Sequence, residues 1–420
     1  PMMDDSCDCK VIQEHGHRRW QVLASTVSHN IINQFLFLGF ASIPDLTKTT
    51  FRIDGTEVTW LYTIALIAAI PGIMYTMALM DTYKVAIPLF GVCCTAISSW
   101  LRVVAVQRAS FSVAVMSSVP LGLGCGKVFV DFAAIPKMWF ASSRNEHAMA
   151  LAIVVQSAFF GFALGGVVVP VVRTQSALVH FSIVQAICAS LSLGMHLSCY
   201  RTPSLDQRPS EVTELVALNT AAGRITVGIG KSLKLMLFNS SFLMLLVGCG
   251  ICQGIAFTVP AISAEVFALH GVDSRTSAWA NFAFIMSGVI VGLVIGRSGA
   301  SGKKILIMIL FWMLAAALVG LQLVAFNKGM RHPARISIMI LLMLVSGGCC
   351  FGAVNSAVHR ICEVALPVPE SHAGGMTEML SLLLGAFLTQ WSVGHEFKVL
   401  VGASICSALI MSIGLFLRPR

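Results

Sequence analysis

Charge is what this chain has least of. Charged residues make up 11% of its 420 residues and hydrophobic ones 56%, where an ordinary soluble protein carries roughly 25% charged residues. So little charge cannot clothe a globule in polar surface, which excludes an ordinary water-soluble fold. Catalytic signatures are missing too. Without a G-x-x-x-x-G-K-[ST] phosphate loop the chain is not expected to pump by nucleotide hydrolysis, and it has no H-E-x-x-H metal-hydrolase motif. We therefore read it as a non-enzyme that uses no cofactor. The thirteen cysteines have no regular spacing, and most, such as Cys94, Cys125, Cys249 and Cys350, sit inside apolar runs. They read as small core residues rather than a disulfide framework. Cys7 and Cys9 form an isolated Cys-Asp-Cys whose segment supplies no further metal ligands. No apolar signal peptide precedes the first span, since Asp4, Asp5, Lys10, Arg18 and Arg19 dominate the beginning, and a cytoplasmic tail is expected.

What the chain does have is long oily runs. Ile64 to Leu79, Leu151 to Val172, Phe242 to Val259, Ile305 to Phe326 and Ile336 to Val358 are among those that meet or approach the 20 or so residues a helix needs to cross hydrocarbon. The expected fold class is all-α membrane: twelve transmembrane helices in two pseudo-symmetric six-helix bundles. We divide it into a tail (1–19), a first bundle (20–200, its first span at 20–44), a polar linker (201–234), a second bundle (235–417) and a short terminus (418–420). An even number of spans returns both ends to one side. Lys and Arg are commoner on the side that holds Arg18, Arg19, Lys137, Arg144, Arg201 and Lys234, which makes that side cytoplasmic. The net charge of +9 is then a topology signal, and no nucleic-acid partner is invoked. A multi-pass protein of the plasma membrane is expected, with the lipid bilayer as its main partner.

The two halves echo one another. Met80-Asp81-Thr82-Tyr83-Lys84 lies where the second half has Gly296-Arg297-Ser298-Gly299, and the turn after Trp139 parallels the one at Pro367 to Ala373. A duplicated six-helix unit with its site near the midplane is the architecture of secondary carriers. Gly161 with Gly165, and Gly288 with Gly292 and Gly296, recur every four residues and read as packing seams between helices.

Ionisable side chains inside such spans cost on the order of 3 kcal/mol to insert, so each is a candidate for lining a site. Lys127 and Asp131 stack on one helical face as a gating or coupling pair, or as a structural one. Glu378 reads as cavity-facing. His359 and Glu363 fall one turn apart and read either as a coupling pair or as an interfacial clamp. The first span is unusually polar, with His29, Asn30, Asn33 and Gln34 followed by Phe37, and the seventh repeats the theme with Gln253 and Phe257. Amides beside ring faces suit an organic cation, which a ring attracts by roughly 0.5–2 kcal/mol; interhelical bonding in an aromatic core is the competing account. Gln156 is a further amide candidate.

These residues resemble a known group, the feline leukaemia virus subgroup C receptor-related (FLVCR) transporters of the major facilitator superfamily. The likeness runs through Arg18-Arg19-Trp20, Thr59-Trp60-Leu61, Ser99-Trp100-Leu101, Lys127-Val128-Phe129 and Gly161-Phe162-Ala163-Leu164-Gly165. It continues in the turn from Glu363 through Pro367, Pro369 and Glu370 to Gly374. The resemblance implies a facilitator fold and a small organic solute among choline, ethanolamine and haem. It also implies that the aromatic positions gripping an ammonium fall at Phe37 or Phe35 and at Phe257. The family's glutamine positions fall near Phe159 and Leu382 to Leu384, where this chain has none. Haem keeps His29 and His359 as candidate ligands. A proton-coupled carrier using Asp131, Glu378 or Glu363, and a receptor that kept the fold without transporting, stay open beside a facilitative carrier.

Overall fold

The computed structural model describes residues 5–79, 83, 85–140, 144–200, 229–297, 303–327, 332–365, 368, 370–395 and 397–417. Regular structure among them is entirely helical. The first half comprises α1 (Asp5–Phe37), α2 (Pro44–Phe51), α3 (Gly55–Leu79), α4 (Ala86–Gln107), α5 (Phe111–Trp139), α6 (Arg144–Val168) and α7 (Gln175–Cys199). After α8 (Ile229–Leu237) come α9 (Ser240–Leu269), α10 (Ser274–Arg297), α11 (Lys304–Phe326), α12 (His332–Val364), α13 (Glu370–Ser392) and α14 (Lys398–Phe416). Most of the loops whose likeness suggested duplication, the linker up to residue 228, and the surroundings of Cys7, Cys9 and Gly296 lie outside the described residues.

Ten of these helices, α3 to α7, α9 to α12 and α14, are long and apolar enough to cross a bilayer. The protein is an all-α, multi-pass membrane protein. Helices α1 and α13 are long but less apolar, because each carries polar side chains turned into protein. On α1 these are His29, Asn30, Asn33 and Gln34; on α13 they are Thr377, Glu378, Ser381 and Thr389, all buried. The first helix differs from its expected bounds at both ends. It begins at Asp5 and stops at Phe37, where Gly39 and the short α2 take over. The Arg102 guanidinium donates to the Leu36 carbonyl and lies 4.9 Å above the Phe40 ring, so a buried cation occupies the carbonyl-rich end of α1.

Packing repeats between the halves. Helix α5 lies on α3 and α4, and α12 lies on α10 and α11. Likewise α1 meets α6 and α7, as α9 meets α13 and α14. Two contacts join the halves in the same reciprocal way, α6 with α10 and α13 with α3. Close approach needs glycine at two of these seams. A side chain at Gly161 would overlap the Ile31 carbonyl of α1, and one at Gly347 of α12 would overlap the Phe284 carbonyl of α10. In lipid such close packing replaces the missing hydrophobic drive between helices. Gly288 against the Phe351 ring and Gly292 against Asn355 continue the second seam, so these glycines are packing positions, as read from their spacing.

Candidate functional site

Two layers of side chains meet where the halves touch. The polar layer is built on α9 and α13 and is answered from α1 and α5. Gln253 on α9 donates Nε2 to Glu378 Oε2 at 2.7 Å, and Ser381 on α13 donates to Gln253 Oε1 at 3.0 Å. From the first half, Gln34 donates to Cys125 Sγ at 3.1 Å and to Asn33 Oδ1 at 3.2 Å. Asn33 in turn donates to Thr95 Oγ1 at 2.9 Å and to the Leu121 carbonyl at 3.2 Å. Its role is therefore to hold α1 against α4 and α5.

Glu378 is 8% exposed. Among the described residues it has no cationic partner within salt-bridge distance. A carboxylate in that position is costly to bury unless something positive joins it. The Gln253 amide orients the group without neutralising it.

The aromatic layer adjoins. Phe257 lies one turn beyond Gln253 on α9, about 6 Å along the axis, and its ring meets Phe162 at 6.2 Å and Phe129 at 6.4 Å, edge to face in both cases. Phe37 meets Tyr62 at 6.2 Å, and Tyr62 meets Phe162 at 6.4 Å. The Tyr62 hydroxyl donates to the Phe257 carbonyl at 2.8 Å, tying α3 to α9 across the halves. Phe37 and Phe257, paired in the sequence reading, are thus joined through Tyr62 and Phe162 rather than face to face. Rings from five helices, α1, α3, α5, α6 and α9, border the polar layer.

The remaining candidates lie elsewhere. Gln156 on α6 points to the opposite seam, where an added side chain at Gly292 would come 3.0 Å from its Nε2 and would overlap Asn355. One turn on, Phe159 rather than an amide packs on Phe351, at 4.6 Å. Lys127 and Asp131 form an ion pair that is completely buried in α5, both side chains 0% exposed. The Lys127 ammonium stands 5.8 Å from the centre of the Tyr200 ring, so the pair faces α7 within the first half. Glu363 binds Arg360 at 2.7 Å and lies 3.6 Å from His359. All three are on α12, His359 being 54% exposed, and among the described residues their ion pairs stay within that helix. His29 is buried on α1 with Nε2 3.0 Å from Thr95 Oγ1, so the structure does not assemble His29 and His359 as two ligands of one haem.

Sequence reasoning missed Tyr62, Phe129, Phe162, Cys125 and Ser381. Tyr62 had a signal, as one of four tyrosines in the chain set in an apolar run where a hydroxyl needs a partner. The others had none, being ordinary residues of oily helices.

No family model matches the chain. Among curated proteins it is similar to the choline/ethanolamine transporter flvcr2a of Danio rerio, 22% identical over 402 residues that cover 92% of this chain and 82% of that one. Solute carrier family 49 member A3 of Danio rerio is 22% identical over 432 residues, 93% of this chain and 85% of its own. The choline/ethanolamine transporter FLVCR2 of Homo sapiens is 19% identical over 389 residues, 89% and 71% respectively. The likeness is dilute and extends through both halves.

Proposed function

We propose that this chain, an FLVCR-like multi-pass solute carrier, moves a small organic cation of the choline or ethanolamine type by alternating access. The observation that carries the proposal is Glu378, a buried carboxylate without a countercharge among the described residues, set beside aromatic faces at the junction of the halves. An ammonium group supplies the missing charge, and its methyl or methylene groups lie against rings that attract a desolvated cation by up to about 2 kcal/mol. The names of the relatives, choline/ethanolamine transporters among them, point to the same chemistry.

The reading includes twelve spans, with α1 and α13 crossing beside the ten apolar helices, and two six-helix bundles at residues 20–200 and 235–417 related by a pseudo-twofold axis. The reciprocal packing of α6 with α10 and of α13 with α3 supports that arrangement. Rocking one bundle against the other about the polar layer exposes the cation to either side in turn. The Lys and Arg bias supports a cytoplasmic position for both ends, and the proposed address is the plasma membrane.

Haem is the weaker substrate reading, since His29 and His359 are not brought together. Proteoliposomes containing the full chain test the proposal with radiolabelled choline, ethanolamine and haem. Saturable accumulation of choline or ethanolamine is expected. Accumulation of haem alone, or of none of the three, contradicts it.

A further inference from the structure

A second buried polar cluster lies in the first half, away from Glu378, and several of its atoms make no hydrogen bond within the protein. Around the Lys127–Asp131 pair stand His29 from α1 and His196 and Tyr200 from α7, the last two stacked with ring centres 4.3 Å apart. Lys127 and His196 are the charged and titratable neighbours of His29, and Lys127 is that of His196. From α4 the cluster receives Thr95; the Arg102 charge on that helix is held at the Leu36 carbonyl instead. Both ring nitrogens of His196, Asp131 Oδ1 and Thr26 Oγ1 are buried without a partner among the described residues. Buried polar groups are almost always hydrogen-bonded, to ordered water where the protein offers nothing. So many orphans in one place mark a hydrated pocket rather than a dry core.

A cavity of about 230 Å³ opens between the same three helices, lined by Arg18, Gln21, Val22, Trp139, Ser198 and Cys199. Each helix shows one face to both places. Gln21 and His29, and likewise Asp131 and Trp139, are two turns apart, about 12 Å, and His196 and Cys199 are one turn apart. Thr26 lies on α1 between the cavity and His29.

We propose that this cluster is a proton-binding site fed through that cavity, and that the chain exchanges the bound proton for its organic cation. The proton enters from water to an imidazole nitrogen of His196 and leaves the same way, with no other bond changed. On His196 it sets a second positive charge beside Lys127 and weakens that lysine's hold on Asp131. His29 also connects through Thr95 and Asn33 to Gln34 in the polar layer, about 7.5 Å further along α1. Two positive charges that close in a medium of low dielectric repel strongly. Simultaneous occupancy is disfavoured, and the coupling is antiport.

The inference rests on the carrier reading, so its test separates the two. Proteoliposomes with an acidic interior should accumulate choline up to about tenfold per unit of imposed pH difference for one-for-one exchange, and His196→Gln should abolish the gradient dependence while downhill uptake persists. Infrared pH-difference spectra of the reconstituted full chain should also contain imidazole bands that vanish in His196→Gln, a readout that needs no transport. Downhill uptake with no response to the gradient, or imidazole bands unchanged in the variant, overturns the proton site. Absence of all uptake together with loss of those bands in the variant keeps the proton site and removes the carrier reading.

Discussion

The Tyr62 hydroxyl on α3 donates to the Phe257 carbonyl on α9 at 2.8 Å, so the ring that borders the proposed site is anchored by a residue of the opposite half. A bond between the halves stabilises the conformation in which it forms. It contributes a net 0.5–1.5 kcal/mol or so, enough to shift a two-state population by about two- to tenfold. Tyr62→Phe keeps the ring contacts with Phe37 and Phe162 and removes only this bond. The expected result is a several-fold change in transport rate with little change in the melting temperature of the full chain. Rates equal to the unmodified protein would show that the contact breaks without consequence for the cycle.

Phe257 itself packs against Phe129 and Phe162 and is buried. Truncation to alanine removes the ring face and leaves a cavity, a change that costs about 3–5 kcal/mol in a well-packed core. Phe257→Ala should abolish uptake, whereas Phe257→Tyr should retain most of it. Both variants need to be checked for insertion by fluorescence-detected size exclusion, and unchanged uptake in the alanine variant would remove the rings from the site.

The Lys127–Asp131 pair makes a different prediction, about stability. Removing one partner of a buried ion pair leaves an uncompensated charge and costs about 3–5 kcal/mol, whereas replacing both with apolar residues of similar size is often close to neutral. Lys127→Met alone should therefore lower the melting temperature in detergent far more than Lys127→Met with Asp131→Leu. Additive losses in the double variant would show that the two charges are compensated by other groups.

At the start of α10, Asp273 accepts from the Thr276 hydroxyl at 2.6 Å and from the Thr276 backbone N–H at 3.1 Å. These bonds, the hydroxyl's first and the backbone's second, hold its carboxyl below the usual Asp value. A depressed carboxylate stabilises the folded state above its unfolded pKa, and that contribution is lost as pH falls through the lower folded value. Asp273→Asn should keep the cap and flatten the acid side of the stability profile, and Asp273→Ala should cost about 1 kcal/mol at neutral pH. Melting curves across the acid range decide it. An alanine variant as stable as the parent would mean that the cap contributes nothing.

How far the sequence was readable depends on which property a residue had to reveal. Span positions were legible because hydrocarbon demands length and apolarity, both visible in a run such as Ile305 to Phe326. The polar residues of α1, and Glu378 on α13, were legible as buried for the same reason, since lipid excludes them. Pairing was not legible: Gln253 and Glu378 lie 125 positions apart, and nothing local fixes which way either helix is turned. Rotation also misled. Gln156 and Phe159, one turn apart, both face the seam with α10 and α12 instead of the aromatic layer. His359 and Glu363 were read at the end of a span, as a coupling pair or an interfacial clamp, and both are exposed on α12.

The account stands most directly on Glu378 as the countercharge for the solute. Equilibrium binding of radiolabelled choline and ethanolamine to the purified full chain, compared with Glu378→Gln, measures this without transport. The glutamine variant keeps the shape and a hydrogen-bonding group beside Gln253 while removing the charge, so saturable binding in the parent should fall by at least about tenfold. Equal affinity in the two proteins would contradict the proposed site.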